Sequence, residues 1–171
     1  MSEARIHCHA AGGLIDGRLA QAGWLRLNAQ QGESLAAAQR LHRLNLSWER
    51  GRAATQEGDF IVIPLELVLL QDEAFRETVV LFALGKERLI SVEQGPRLHA
   101  LDQAGEQLLA SMGDGCALDP CTAMFCMLDA LNDAAHASLR DIAARLDERS
   151  DAVAAASGGF DTAKRQAGVA D

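Results

Sequence analysis

Residues 120–157 run for about ten helical turns without an internal Gly or Pro, in a composition dominated by Ala, Leu, Asp and Arg. At roughly 1.5 Å per residue such a helix measures about 57 Å, more than the width expected of the domain that precedes it. Its apolar positions are Leu128, Leu131, Ala135, Leu139, Ile142, Leu146 and Val153, a rhythm close to the helical period that suits a nearly straight rod. The stripe calls for a neighbour along its whole length. Asp129, Asp133, Asp141, Asp147, Glu148 and Asp151, set against Arg140, Arg145 and Arg149, make the rest of the rod wet and net acidic. The pattern predicts a stalk.

A chain of 171 residues with 49% hydrophobic content can close one sizeable core beside such a rod. The predicted division is therefore an α/β head over 1–115, a long stalk helix over 116–157 and the start of a further helix over 158–171. A net charge of −8 with only two lysines, Lys86 and Lys164, argues against a nucleic-acid partner and favours cations or basic surfaces. The four cysteines come without a leader sequence or a small disulfide scaffold and read as reduced thiols. No stretch approaches the roughly 18 apolar residues of a membrane span.

Within the head, residues 5–9 and 24–28 alternate in character and predict strands, separated by turn signals at Gly12-Gly13 and Asp16-Gly17. Leu35, Ala38, Leu41 and Leu44 recur at helical spacing after Ser34, the expected N-cap. Residues 45–57 read as helix end and loop. Residues 60–70, 78–84 and 89–92 are strands, the last two a hairpin around residues 85–88, and Pro64 marks a strand end, bulge or edge. Strand runs apolar on both faces require a sheet covered on both sides, and helices are the only cover available. The expected class is thus α/β, an α/β/α sandwich with a mixed sheet. Residues 97–112 form one covering helix with Leu98, Leu101, Leu108 and Leu109 inward, ended by Gly113-Asp114-Gly115. Asp119 and Pro120 then cap and open the rod, and Gly158-Gly159 is expected to stop it.

Candidate chemistry is sparse. Cys116, Cys121 and Cys126 lie five residues apart, and with His99 or His136 they invite a zinc reading. Structural zinc sites, however, favour ligands two to four residues apart, so ordinary thiols are expected. His7 and His9 share one strand face, with Cys8 on the other, and read as an exposed polar face. Asp129, Asp133 and His136 fall at i, i+4 and i+7 on one stripe of the rod, where two carboxylates and an imidazole can hold a divalent cation loosely, above all near a symmetry mate. The alternative is a solvated helix face. No Gly-rich elbow, HExxH or P-loop pattern accompanies any nucleophile, so no catalysis and no tightly bound cofactor are expected.

Several segments in order resemble the cytoplasmic part of the CorA-like divalent-cation transporters, and among them the zinc-transporting ZntB branch. These are Trp24-Leu25-Arg26-Leu27-Asn28, Arg50-Gly51-Arg52 with Gly58-Asp59-Phe60-Ile61-Val62, Phe82 to Gly85 with Leu89-Ile90-Ser91-Val92, Ala100-Leu101-Asp102, Leu128-Asp129-Ala130-Leu131 through Leu146-Asp147-Glu148, and Gly159-Phe160 with Lys164-Arg165-Gln166. The resemblance implies an α/β/α domain on stalk helices, a pentameric funnel, zinc or magnesium as cargo, and a place on the cytoplasmic face of the bacterial inner membrane. It also implies a pore-mouth Gly-Met-Asn signature and two membrane spans, which this sequence does not contain. The chain therefore reads as a truncated piece, expected to associate weakly by itself. The segment after Leu44 is shorter than the family's usual one, and no acidic pair aligns with the family's inter-subunit metal sites. A soluble α/β binding or signalling module with a coiled-coil helix is the competing reading.

Overall fold

The computed structural model describes residues 13–71, 74–112 and 118–167. The strand predicted over 5–9, the His7/Cys8/His9 group, Cys116 and the Gly113-Asp114-Gly115 helix stop lie outside the described residues. Two compact units make up the chain, Met1–Ala135 and His136–Asp171.

In the first unit, five strands form one mixed sheet in the order β1-β5-β4-β3-β2. β1 (Trp24–Asn28) runs parallel to β5 (Leu89–Glu93), and the remaining pairs are antiparallel. β3 (Phe60–Gln71) and β4 (Ala74–Gly85) pair along their full lengths, from Phe60 opposite Gly85 to Gln71 opposite Ala74. β4 returns into β5 through the predicted turn, closed by the Gly85 N–H donating to the Arg88 carbonyl at 2.9 Å. The short edge strand β2 (Thr55–Glu57) lies in a stretch expected to be loop. Three residues are too few for a period to show, and they become a strand by pairing with β3. Pro64 sits just beyond the end of that pairing, where β3 has no outer strand neighbour among the described residues, as a residue without an N–H donor requires.

Both faces are covered, as the apolar runs demanded. One face, with Trp24, Val80, Phe82 and Leu89, carries α1 (Gly13–Ala22), α3 (His99–Ser111) and the start of α4 (Pro120–Ala167). The other, with Leu25, Leu27, Val62, Leu81 and Ile90, carries α2 (Gly32–His42) and the following segment through Leu44, Leu46 and Trp48. The Trp24 indole N–H, buried in the first core, donates to Ser91 Oγ at 2.9 Å, so the ring packs without an unsatisfied donor.

Four local expectations are corrected. The Asp16-Gly17 signal does not make a turn, because α1 runs through Gly13, Asp16 and Gly17, while Gly12 lies outside the described residues. Ile15, Leu19 and Ala22 recur on one helical face and pack on the sheet, while Gly17 faces open space, where a glycine weakens the helix without breaking it. Ser34 is not the N-cap of α2. The helix starts at Gly32 after Gln31, and Asn28 organises the entry by accepting the Gln30 N–H on Oδ1 and the Gln31 N–H on its carbonyl. Leu41, placed on the inner face by spacing, is exposed, and the helix closes at Arg43 in the left-handed region (φ 54°), which turns Leu44 into the core instead. Finally, Gly158-Gly159 does not stop the rod, whose backbone stays helical to Ala167. A glycine costs a helix about 1 kcal/mol relative to alanine and ends one only where the chain takes a left-handed turn, which it does not do there.

Glycine is required at Gly85. A Cβ built there would stand 2.6 Å from the Phe60 ring, which lies across the strand and meets His42 edge-on, with centroids 5.7 Å apart. Gly85→Ala is expected to destabilise the head by about 1–3 kcal/mol through overpacking, read as a lower urea midpoint at unchanged slope. An unchanged midpoint would contradict that packing.

Candidate functional site

α4 opens as expected. Asp119 caps it by accepting the Thr122 N–H at 2.8 Å and the Thr122 hydroxyl at 2.7 Å on Oδ2, and these bonds hold its carboxyl below the usual carboxylate range. Ala123, Met124, Met127 and Leu131 are buried in the head core, with Leu128 and Ala135 packed against it. In the second unit the same helix presents Leu139, Leu146 and Val153 at 59, 61 and 67% exposure. Among the described residues the stripe is buried in the head core over its first turns, and Leu139, Leu146 and Val153 recur every seven residues, a spacing suited to helix pairing.

Asp129 and Asp133 are exposed on α4 in the first unit, and His136, also exposed, begins the second. Among the described residues no group of three or more His, Cys, Asp or Glu is arranged to hold a metal ion. Cys121 is exposed at the start of α4 and Cys126 is half-buried, both as free thiols. Cys121 lines an open cavity of about 1160 Å³ with His42, Phe60 and the Lys86-Glu87-Arg88 turn. Burial and the nearby Arg88 hold the pKa of His42 below the ordinary imidazole value. No helix among the described residues is long and apolar enough to cross a membrane.

Spacing arguments missed an ion network that joins the sheet to two helices. Arg26 sits fully buried on β1 and donates through Nε to Glu93 Oε1 at 2.6 Å and through its terminal nitrogens to Glu93 Oε2, Asp102 Oδ1 and the Leu98 carbonyl. Glu93, equally buried on β5, also accepts the Leu98 N–H on Oε2 and so fixes the entry to α3. Arg97 extends the chain of charges, forking onto both oxygens of Asp16 on α1 at 2.8 and 2.9 Å while reaching Asp102 at 2.8 Å. The one available signal was an Arg and a Glu at inward positions of otherwise apolar strands, a placement tolerated only in pairs.

Burial alone would raise the Asp102 pKa, but Arg26 and Arg97 outweigh it and hold the carboxyl below its ordinary value. Since Asp102 and Asp119 both have folded pKa values below their unfolded ones, the stability they contribute is complete above the ordinary carboxylate range, near pH 4, and is lost as pH falls through the depressed values. The urea midpoint is expected to fall steadily between pH 5 and pH 2.5. A midpoint flat across that interval would contradict the network.

No protein-family model matches the chain and no curated protein matches it. Solved structures do. Over 77% of its length the chain matches the full-length CmaX protein (TM-score 0.58, 20% identity, 42% of that chain). Over the same share it matches the soluble domain of CorA from Methanocaldococcus jannaschii (TM-score 0.61, 13% identity, 55% of that chain). It also matches the complete CorA magnesium transporter from that organism (TM-score 0.59, 12% identity, 44% of that chain). The chain thus spans between 42 and 55% of the length of these proteins. At such identities the likeness is one of fold: a covered mixed sheet followed by a long helix, the fold of the CorA soluble domain.

Proposed function

We propose that this chain is the cytoplasmic head and stalk of a CorA-like divalent-cation transporter of the bacterial inner membrane, with zinc the leading cargo and magnesium the alternative. The observation that carries the reading is the α/β/α head continuing into an unbroken 48-residue helix, in a fold otherwise seen in a protein described as a magnesium transporter. The domain does no covalent chemistry. Its acidic surface, net −8 over the chain, raises the local concentration of cations. Copies of α4 pack through Leu139, Leu146 and Val153, and exposed Asp129, Asp133 and His136 meet ligands from a neighbouring copy around a loosely held cation. Each bound ion then favours one subunit arrangement by its differential affinity, and the stalks pass that bias toward the pore.

Two observations test this reading. If the reading frame continues past Asp171 into two apolar spans of about 20 residues, transport stands. A frame that closes at once removes it and leaves the coiled-coil signalling module. Light scattering of the 171-residue chain is expected to give a monomer or dimer that grows on adding zinc. Asp129→Asn with Asp133→Asn should raise the half-maximal zinc concentration at least tenfold, equivalent to about 1.4 kcal/mol. A tight pentamer indifferent to zinc would overturn the ligand role.

A further inference from the structure

The last residues of α2, the start of β3 and the turn from β4 into β5 border the open cavity of about 1160 Å³. We propose that it binds a small anionic amphiphile, a carboxylate carried on an apolar body. Leu41, Phe60, Ile61 and Leu84 receive the body, and the Arg88 guanidinium receives the carboxylate.

The apolar half rests on exposure gathered at one place. Leu41 and Ile61 are 63 and 49% exposed, although both are large aliphatic side chains, and both line this cavity. Phe60 and Leu84, each half-buried, line it with them. The Phe60 ring is fixed there, since the missing Cβ of Gly85 leaves it room and His42 meets it edge-on. A single exposed leucine needs no explanation, whereas several apolar side chains around one concave surface are the usual lining of a ligand cleft.

The charged half rests on Arg88. Its side chain is half-buried and lies near enough to His42 to lower that imidazole's pKa, yet no carboxylate among the described residues pairs with it. Arg26, Arg52 and Arg97, by contrast, are all bound to carboxylates, at 2.6, 2.7 and 2.8 Å. Asp59, Lys86 and Glu87 also line the cavity, but all three are exposed, where water and salt screen them. The one partly desolvated charge at the cavity is therefore positive, and a guanidinium forks onto a carboxylate through two parallel N–H···O bonds.

Simpler ligands satisfy only one half. A divalent cation meets Arg88, an inorganic anion leaves the apolar walls wet, and a hydrocarbon leaves the guanidinium unpaired. The volume suits a small organic molecule, whose pockets run from about 300 to 1,000 Å³.

The site is independent of cation transport, so neither reading falls with the other. Cys121, an exposed free thiol on the cavity wall, reports occupancy. The experiment alkylates the 171-residue chain with iodoacetamide under rising sodium octanoate, kept below its micelle concentration and at ionic strength held constant with NaCl, and follows Cys121 by peptide mass spectrometry. Cys126, half-buried farther along α4, is the internal control. Parallel arms use octanamide, which has the body without the charge, and sodium acetate, which has the charge with almost no body. The expected result is a saturable slowing at Cys121 alone, with half-saturation at a roughly tenfold lower concentration for octanoate than for either control. Arg88→Gln should erase the advantage of octanoate over octanamide, and Ile61→Ser should weaken both. Both positions stand outside the buried core, so the urea midpoint should stay near that of the wild type. Slowing that fails to saturate or that is equal at Cys126, acetate protecting as well as octanoate, or identical octanoate curves in wild type and Arg88→Gln would each overturn the site.

Discussion

Glu93→Ala is expected to cost the head about 3–5 kcal/mol, because it leaves the buried Arg26 guanidinium short of two acceptors and strips the Leu98 N–H of its partner. Typical domains hold only about 5–15 kcal/mol of net stability, so the variant should lose a large share of it, about a fifth at the least, and show a much lower urea midpoint. The size follows from placement. Both side chains of the Arg26–Glu93 pair are 2% exposed, where water cannot replace a lost partner. The same physics predicts the opposite outcome for a joint replacement. Arg26→Met with Glu93→Leu removes both charges and should recover the part of the loss that comes from the unpaired guanidinium, leaving only the cost of the Leu98 N–H, since a well-packed apolar pair can equal a buried ion pair. A single-variant loss below about 1 kcal/mol would mean the pair is hydrated, contrary to its burial.

Leu131→Ala and Leu146→Ala, fifteen residues apart on one helix, should behave very differently. Leu131 is 1% exposed and packed with Met127 and Ala123 in the head core, so truncation leaves a cavity worth about 2–5 kcal/mol. Leu146 is 61% exposed, and its truncation should change the stability of the isolated chain by less than about 0.5 kcal/mol. Its effect belongs to association: Leu146→Lys should abolish whatever self-association the 171-residue chain shows in sedimentation while leaving the urea midpoint unmoved. Equal stability losses at the two positions would mean that α4 is committed to one fold core throughout, with no apolar face left for another copy.

Much of the architecture was legible in the residues. The apolar, β-prone runs of β3, β4 and β5, interrupted by Pro64 and bounded by the turn at residues 85–88, carried the sheet. The Leu98, Leu101 and Leu108 spacing carried α3, and Asp119-Pro120 marked the first turn of α4. What stayed hidden was hidden for physical reasons. α1 carries Gly13 and Gly17, the latter facing open space, so its turn signals outweighed the Ile15, Leu19 and Ala22 face that packing rewards. β2 is made by its partner and not by its own pattern. Gly158-Gly159 looked like a stop because propensity was weighed without the left-handed residue that termination needs.

The site was less legible than the fold. Helical spacing puts Asp129, Asp133 and His136 at similar angles around α4, but spacing says nothing of what faces them. The Arg26–Glu93 network required knowing that β1 lies beside β5, a parallel pairing of residues more than sixty positions apart that no local pattern encodes.

The most direct measurement is divalent-cation flux into liposomes reconstituted with the complete reading frame, followed with a zinc-sensitive and a magnesium-sensitive dye in parallel. Saturable entry of zinc, or of magnesium, that weakens when Asp129 and Asp133 are both changed to Asn is the predicted result. A folded, membrane-inserted oligomer that passes neither ion would contradict the transporter assignment.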